Sequence, residues 1–204
     1  MTRILDPSII IVSIQTFQTH IFINGDDVKM KVIAYDIGTT GLKTCMFDIS
    51  KKESVYLIDG EVEPYELHVL ENGGVEQDPL EWWDAMGKST KRLLKRTGVS
   101  KEEIKGISFC SQMQTLVMVD KEGTPLRRAM SCMDTRADKQ FAKYMKRGLQ
   151  IEGLNLYKVY RLIRITGAVT ASTKDPIWKY HWIRDNEPEI YHNTYKCEPR
   201  RHPE

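Results

Sequence analysis

Two β-prone segments joined by a turn of glycine and threonine constrain the fold of this chain more than any other feature. Lys31 to Asp36 is mostly apolar or β-prone, and Leu42 to Ile49 alternates between two faces. The turn between them, Gly38 to Gly41, has the sequence Gly-Thr-Thr-Gly. Because Ser54 to Val62 predicts a third strand, the three segments together predict an antiparallel meander.

The glycine–threonine turn has the composition of a phosphate-binding loop. Backbone N–H groups gathered in one concavity suit the oxygens of a polyphosphate. Gly38 and Gly41 allow close backbone approach, and the hydroxyls of Thr39 and Thr40 add donors. An ordinary β-turn can have the same composition, so this motif alone leaves both interpretations open.

The surroundings of the turn favour one fold class. The turn lacks the Gly-x-x-x-x-Gly-Lys spacing of a Walker loop and does not lead into a helix. It therefore points to an actin-like or ribonuclease-H-like ATPase domain, an α/β fold in which a mixed sheet is flanked by helices. In that fold the phosphate loop joins the first two strands.

Two charged residues flank the turn. Asp36 ends a buried strand, and we expect its carboxylate to position Mg-ATP by holding Mg²⁺ through water, since Mg²⁺ keeps much of its hydration shell. Lys43 could reach a phosphate or face the solvent from its strand, and both alternatives stay open. The predicted ATP-binding residues are Gly38, Thr39, Thr40, Gly41 and Lys43.

A helical pattern follows the meander. Asp78 can cap a helix that begins at Pro79 and runs to about Arg96, and Gly98 predicts its end. The helix is amphipathic and is expected to lie on the sheet. Its apolar side is predicted to hold Leu80, Trp82, Trp83, Met86, Leu93 and Leu94. The basic stretch from Lys88 to Arg96 is predicted to be its solvated side.

Strand and helix patterns continue along the rest of the chain. Two further strands are predicted, Ile104 to Phe109 and Thr115 to Asp120. Two further helices are predicted, Ala137 to Arg147 and Ile177 to Asn186. The mixture of strands and helices fits an α/β class.

Composition and charge exclude several classes of function. The formal net charge is +2, with 30 Lys and Arg interleaved among 28 Asp and Glu, so we predict no nucleic-acid partner. The four scattered cysteines form no Cys-x-x-Cys pair, which favours a reducing, cytoplasmic setting. The apolar run from Ile9 to Ile14 is too short and too interrupted for a membrane span, so we predict no membrane partner.

Five segments, in order, resemble the FGGY carbohydrate kinases, most closely the xylulose-kinase-like branch. They span residues 30 to about 196. The matching segments are Asp36 to Lys43; Gly74 to Pro79 with Trp82 and Trp83; Ile107 to Thr115; Met133 to Arg136; and Lys179 to Trp182 with Asn186 to Glu189. The resemblance implies a two-domain kinase that moves the γ-phosphate of ATP to a sugar hydroxyl.

The resemblance also implies sugar-binding residues. Gln112, Met113 and Gln114 would touch the sugar, and Asp134 and Arg136 would shape the site. From the residues alone, the Gln-Met-Gln segment could bind polyol hydroxyls through its amides or form a plain polar turn. Asp134 and Arg136 could equally form a structural ion pair.

The tryptophans and the two acids Glu76 and Asp78 have plainer predicted roles. Trp82, Trp83, Trp178 and Trp182 are expected to pack in the core or between helices rather than to serve as sugar platforms. Glu76 and Asp78 are expected to be a loop acid and a helix cap.

The resemblance divides the chain into three parts. Residues 1–29 are predicted to be an extension outside the family fold, and Met30 could be the natural start. Residues 30–196 would be the incomplete N-terminal kinase domain, and residues 197–204, with two prolines, an irregular tail.

Two departures from the family pattern limit the expected activity. Gln114 replaces the histidine of the xylulose-kinase pattern, which leaves the sugar or polyol open. The family's general-base aspartate, adenosine-binding motifs and second domain lie beyond residue 204, so we expect the chain alone to be inactive. An exposed half-cleft would aggregate or pair, and a homodimer is one such outcome.

Two other functions compete with the kinase interpretation. One is a non-catalytic sugar- or nucleotide-binding module derived from such a kinase. The other is an actin-like or chaperone-type ATPase domain with a protein partner, which the five segments disfavour.

Overall fold

The computed structural model describes residues 10–13, 29–50, 55–167 and 172–195. They fall into two compact units. The first takes its described residues from Met1–Glu66 and Leu80–Gln112, and the second from Leu67–Pro79 and Met113–Glu204. The predicted tail, and all of the predicted extension apart from residues 10–13 and Lys29, lie outside the described residues.

The described residues form ten strands and five α-helices. The strands are β1 (Ile10–Ser13), β2 (Lys29–Ile37), β3 (Gly41–Ser50), β4 (Val55–Pro64), β5 (His68–Val69), β6 (Val75–Gln77), β7 (Ile104–Ser111), β8 (Ala129–Met130), β9 (Gln150–Ile151) and β10 (Leu154–Asn155). The helices are α1 (Pro79–Thr97), α2 (Asp138–Met145), α3 (Leu156–Thr166), α4 (Pro176–Asn186) and α5 (Pro188–Asn193), with a 3-10 turn at Lys101–Glu103.

A five-stranded mixed sheet, in the order β1-β7-β2-β3-β4, forms the first unit. Strands β2, β3 and β4 are antiparallel neighbours, which confirms the predicted meander. Strand β7 runs parallel beside β2, and β1 runs parallel to β7 at the edge. The end of β7 therefore lies at the same edge of the sheet as the end of β2, where the glycine–threonine turn begins.

Helix α1 covers one face of this sheet. Leu42, Thr44 and Met46 alternate along β3 and are fully buried, as the period of two predicts. Leu42 and Met46 pack in one core cluster with Leu93 of α1, and burying a side chain of this size contributes roughly 1.5–3 kcal/mol. The Thr44 and Ser89 hydroxyls lie 2.7 Å apart in the same buried layer.

The end of α1 is confirmed, and part of its predicted apolar side is wrong. Gly98 has φ +69° and donates its N–H to Leu94, as expected of a helix-ending glycine. However, Leu80 is 57% exposed and Trp83 is 69% exposed. The buried face is centred near Ser89, and at about 100° per residue Leu80 lies roughly opposite Ser89 and Trp83 about 120° from it.

The basic side of α1 is solvent-exposed, as predicted, and two of its arginines also bind the edge strand. Arg96 binds Asp59 of β4 at 2.6 Å, and Arg92 binds Glu61 and Glu63 of the same strand. The predicted solvated face therefore forms ion pairs with the edge strand. The carboxylates could not be placed opposite these arginines before the strand register was known.

The second unit combines small sheets and short helices. Strands β5, β6 and β8 form one antiparallel sheet, and β9 pairs with β10. Helices α2 and α4 confirm the two predicted helices within a few residues. One core cluster contains Met118, Met130 and Ile183, and another contains Phe141 and Trp178. Trp178, 5% exposed, is thus a core residue, as predicted.

The predicted strand from Thr115 to Asp120 is wrong. Leu116 and Met118 are buried alternately, which explains the misleading pattern. Only isolated bridges form there, from Leu116 to Met130 and from Val119 to Pro125, so no continuous ladder develops.

Helices α3 and α5 were not predicted. Across the described ranges, no helix combines the length and apolarity needed to cross a membrane.

Candidate functional site

Backbone contacts inside the first unit shape the glycine–threonine turn. The Gly38 N–H donates to the Gly41 carbonyl oxygen at 3.1 Å, which closes the turn. A Cβ on Gly38 would lie 3.0 Å from that same oxygen, and a Cβ on Gly41 would lie 3.0 Å from the Glu63 carbonyl oxygen. Close backbone packing therefore favours glycine at both positions, and the Gly38 N–H already has a partner in the turn.

Tyr65 contacts the turn through its side chain. Its hydroxyl donates a hydrogen bond to the Gly38 carbonyl oxygen. Burial, together with the negative charge of Asp36, raises the pKa of Tyr65 to about 12, so the phenol stays protonated and able to donate at neutral pH. This residue was not predicted, since an isolated tyrosine after a strand carries no motif.

Asp36 and Lys43 face each other directly across strands β2 and β3. Lys43 Nζ lies 3.3 Å from Asp36 Oδ2, and the two side chains are 64% and 42% exposed. The sequence left open whether Lys43 reaches a phosphate or faces the solvent. In the structure it is exposed and paired with Asp36.

Asp36 has the chemistry that a magnesium site needs. Mg²⁺ prefers oxygen ligands and often binds through water to one or two carboxylates. The Asp36 carboxylate is a hard oxygen donor with open surface beside the turn. The residues present therefore fit Mg²⁺ held through water.

The structure brings one predicted sugar-binding residue to the turn. In the β2–β7 register, Asp36 is opposite Cys110 and Ile37 is opposite Ser111. The Gln112 N–H then donates to the Ile37 carbonyl oxygen at 2.9 Å. Gln112 thus lies at the same sheet edge as Asp36, within the first unit.

The next two predicted sugar-binding residues belong to the second unit. Met113 is 80% exposed. Gln114 is also exposed and adopts the left-handed region with φ +61°, which few residues other than glycine adopt. Its side-chain amide donates to Asp175 Oδ1 at 2.8 Å. A specific hydrogen bond to Asp175 therefore fixes the conformation of this turn.

Asp134 and Arg136 form the ion pair that the sequence left as an alternative. Arg136 Nη2 lies 2.7 Å from Asp134 Oδ2, and Asp134 is fully buried. The same carboxylate accepts the Val75 N–H at 3.0 Å. The guanidinium also reaches Glu76 at 2.7 Å and lies 4.5 Å from the ring centre of Trp182. Both side chains are thus fully engaged within the second unit.

Glu76 and Arg127 complete this buried ion cluster, which consists of Glu76, Arg127, Asp134 and Arg136. Arg127 binds Glu76 and also reaches Glu187 at 2.7 Å. The prediction of Glu76 as a loop acid is wrong, because it lies in β6 and is 8% exposed. Arg127 was not predicted, because its acidic partners are 51 and 60 residues away along the chain.

A cavity of about 270 Å³ also lies in the first unit, and none of the predicted site residues lines it. Its lining residues are Glu63, Pro64, Tyr65, Glu66, Glu81, Asp84, Ala85 and Lys88. Four carboxylates against one lysine give it a negative charge, which does not suit a phosphate.

Known structures share this architecture. A xyloylose kinase from Brucella ovis superposes with a TM-score of 0.67 at 22% identity, over 81% of this chain and 31% of that one. At that identity the likeness establishes the fold alone. The chain is thus an α/β domain of the actin-like or ribonuclease-H-like class, with a mixed sheet flanked by helices.

Sequence comparisons identify the family. Residues 31–197 match the N-terminal domain of the FGGY family of carbohydrate kinases. The xylulose kinase of Staphylococcus epidermidis is 31% identical over 174 residues, 82% of this chain and 30% of that protein. The glycerol kinase of Aquifex aeolicus is 34% identical over 122 residues, 56% of this chain and 24% of that protein.

The chain belongs to the FGGY family of carbohydrate kinases and corresponds to its N-terminal domain. Members of this family are phosphotransferases that use ATP. The chain spans about 30% of the length of the xylulose kinases it matches.

Proposed function

We propose that this chain is the N-terminal part of an ATP-dependent kinase that transfers the γ-phosphate of ATP to a hydroxyl of a sugar or polyol resembling xylulose. One observation carries the proposal. Asp36, the glycine–threonine turn and Gln112 meet at one edge of a sheet, joined by the hydrogen bond from Gln112 to Ile37. A phosphate-binding turn next to an amide that can bind hydroxyl groups suits phosphoryl transfer to an alcohol.

The turn and its flanking charges would hold the nucleotide. Phosphoryl transfer depends mainly on positioning and on stabilising charge. The hydroxyls of Thr39 and Thr40 and the backbone of the turn would bind phosphate oxygens, and Lys43 would neutralise part of their charge. Asp36 would hold Mg²⁺ through water, and bound Mg²⁺ would neutralise charge on the phosphates.

The Gln-Met-Gln segment would hold the acceptor. The amides of Gln112 and Gln114 can each donate and accept, which matches the hydroxyls of a polyol. Met113 would contact its carbon chain. Asp134 and Arg136 would contribute to the sugar site by fixing its shape from within the buried ion cluster. Cytoplasmic location and pairing into a homodimer remain predictions.

The test uses a longer form of the protein that carries the remaining family segments. We expect Asp36→Ala to lower Mg-ATP-dependent phosphorylation of D-xylulose or glycerol at least 100-fold, while sugar affinity stays within twofold. Asp84→Ala, which removes an exposed carboxylate of α1, is the matched control and should leave turnover unchanged. Unchanged turnover in Asp36→Ala would contradict the Mg²⁺ role.

A further inference from the structure

A buried lysine in the second unit connects three segments. Lys179, in α4, has no exposed surface. Its ammonium donates to the Gln114 carbonyl oxygen at 2.7 Å and to the Ser131 carbonyl oxygen at 2.6 Å. Burial lowers the pKa of Lys179 to about 8, against the opposing charge of Asp134. An apolar side chain would avoid this desolvation, so the two carbonyl contacts are what a lysine specifically provides.

The residue that Lys179 holds has an unfavourable backbone. The left-handed conformation of Gln114 is unfavourable for a residue with a Cβ, and such a conformation persists only where its surroundings impose it. Here α4 supplies both contacts. Lys179 binds the Gln114 carbonyl, and Asp175, four residues earlier and so on the same side of the helix, accepts from the Gln114 side-chain amide.

Asp175 is itself held in place. Its Oδ1 accepts from Gln114, while its Oδ2 accepts the Ser172 N–H at 3.1 Å. Both ends of Gln114 are therefore fixed by one turn of one helix. A flexible glutamine would lose rotamer entropy on binding a ligand, whereas one that is already fixed loses less.

We propose that Lys179 and Asp175 are positioning residues, which fix the backbone and side chain of Gln114 and thereby set the affinity for the sugar. The ligand part of this inference rests on the proposed function. Neither residue needs to touch the sugar, since both act through Gln114.

The experiment combines a local structural measurement with a binding measurement on the 204-residue chain. Lys179→Met should accelerate hydrogen exchange of the Leu116 N–H at least tenfold, because this amide bonds to Met130 directly after the held segment. The Phe141 N–H of α2, bonded within the same unit, should stay within twofold. The dissociation constant for D-xylulose should rise at least tenfold, and Lys179→Arg should restore part of it.

The controls separate positioning from general stability. Lys139→Met removes an exposed lysine of α2 and should change neither measurement. If Lys179→Met does not fold, Asp175→Ala should weaken D-xylulose binding at least fivefold, and Asp175→Asn, whose single carbonyl oxygen can still accept from Gln114, should restore part of it. Equal acceleration at Leu116 and Phe141, or none at Leu116, would overturn the proposal.

The two proposals can fail separately. If the wild-type chain binds neither D-xylulose nor glycerol, the proposed sugar site fails, and the effect on sugar affinity fails with it. Exchange at Leu116 still decides whether Lys179 and Asp175 hold the segment.

Discussion

The two charged residues beside the glycine–threonine turn form one weak ion pair. Asp36 and Lys43 are 3.3 Å apart and about half exposed, and pairs of this kind contribute at most about 1 kcal/mol. A polyphosphate with its metal could therefore separate them at small cost, with Lys43 turning to the anion and Asp36 to the cation. The pairing is thus compatible with a nucleotide-binding role for both residues.

The buried Lys179 predicts an unusual dependence of stability on pH. Its pKa is lowered from 10.5 to about 8, so the folded protein releases this proton before the unfolded chain does. Between these two values the unfolded state binds more protons, and the free energy of unfolding therefore rises with pH. Comparison with Lys179→Met cancels the pH dependence that comes from the titratable groups common to both proteins.

We expect the free energy of unfolding of wild type, relative to Lys179→Met, to increase by about 2–3 kcal/mol between pH 7 and pH 10. Urea unfolding at both pH values measures it. A difference that does not change with pH would mean that Lys179 keeps its ordinary pKa in the folded protein.

At the scale of single elements, two glycines of the first unit should respond in opposite ways to alanine. A Cβ on Gly41 would meet the Glu63 carbonyl oxygen at 3.0 Å and the Pro64 Cα at 3.3 Å, so β3 and β4 would have to separate. Gly41→Ala should therefore destabilise the protein by about 1–3 kcal/mol. Gly87, inside α1, has nothing within 4 Å of its added Cβ, so Gly87→Ala should stabilise by about 0.5–1 kcal/mol.

Urea unfolding of both variants measures these changes against wild type. The opposite signs make Gly87→Ala a matched control for the substitution itself. Wild-type stability in Gly41→Ala would show that the two strands separate there without cost.

Elements with strong local signals were predictable from the sequence. The alternation along β3 placed Leu42, Thr44 and Met46 on one face, which the structure shows to be buried, and Gly98 marked the end of α1. A strand was wrongly predicted from Thr115 to Asp120 because alternate burial can arise in a segment that has no strand partner. Pairing is set by neighbouring segments, and here it is reduced to two isolated bridges.

The candidate site was predictable only in part, for a related reason. The turn and its flanking charges are contiguous in sequence, so a hairpin register brings Asp36 and Lys43 opposite each other, although their ion pair was not predicted. The contacts of Asp134 with Val75, and of Glu76 with Arg127, join segments 59 and 51 residues apart. Local patterns do not specify such pairings. The hydrogen bond from Lys179 to the Gln114 carbonyl oxygen could not be predicted for the same reason.

At the scale of the whole molecule, the buried ion cluster joins segments that are far apart along the chain. Asp134→Ala would leave the Arg136 guanidinium and the Val75 N–H without this partner in a buried setting. Breaking a buried pair in this way costs about 3–5 kcal/mol. Asp84→Ala, which breaks an exposed pair with Lys88, should lower the free energy of unfolding much less.

Urea unfolding of the two aspartate variants provides the comparison. Similar small losses in both would show that the cluster is solvated or rearranges easily. In that case Asp134 and Arg136 would be available to a ligand, instead of being committed to each other.

Kinase activity depends on groups from the whole chain. Phosphoryl transfer needs donor, acceptor and general base held together, and this chain spans only about 30% of the length of the xylulose kinases it matches. We therefore expect the 204-residue polypeptide, incubated with Mg-ATP and D-xylulose or glycerol, to form ADP no faster than a sample without the sugar. A coupled assay for ADP measures this rate, and the xylulose kinase of Staphylococcus epidermidis serves as the positive control. Sustained, sugar-dependent turnover by the purified chain would mean that residues within these 204 supply the base, and Asp36 would then be the first carboxylate to test for that role.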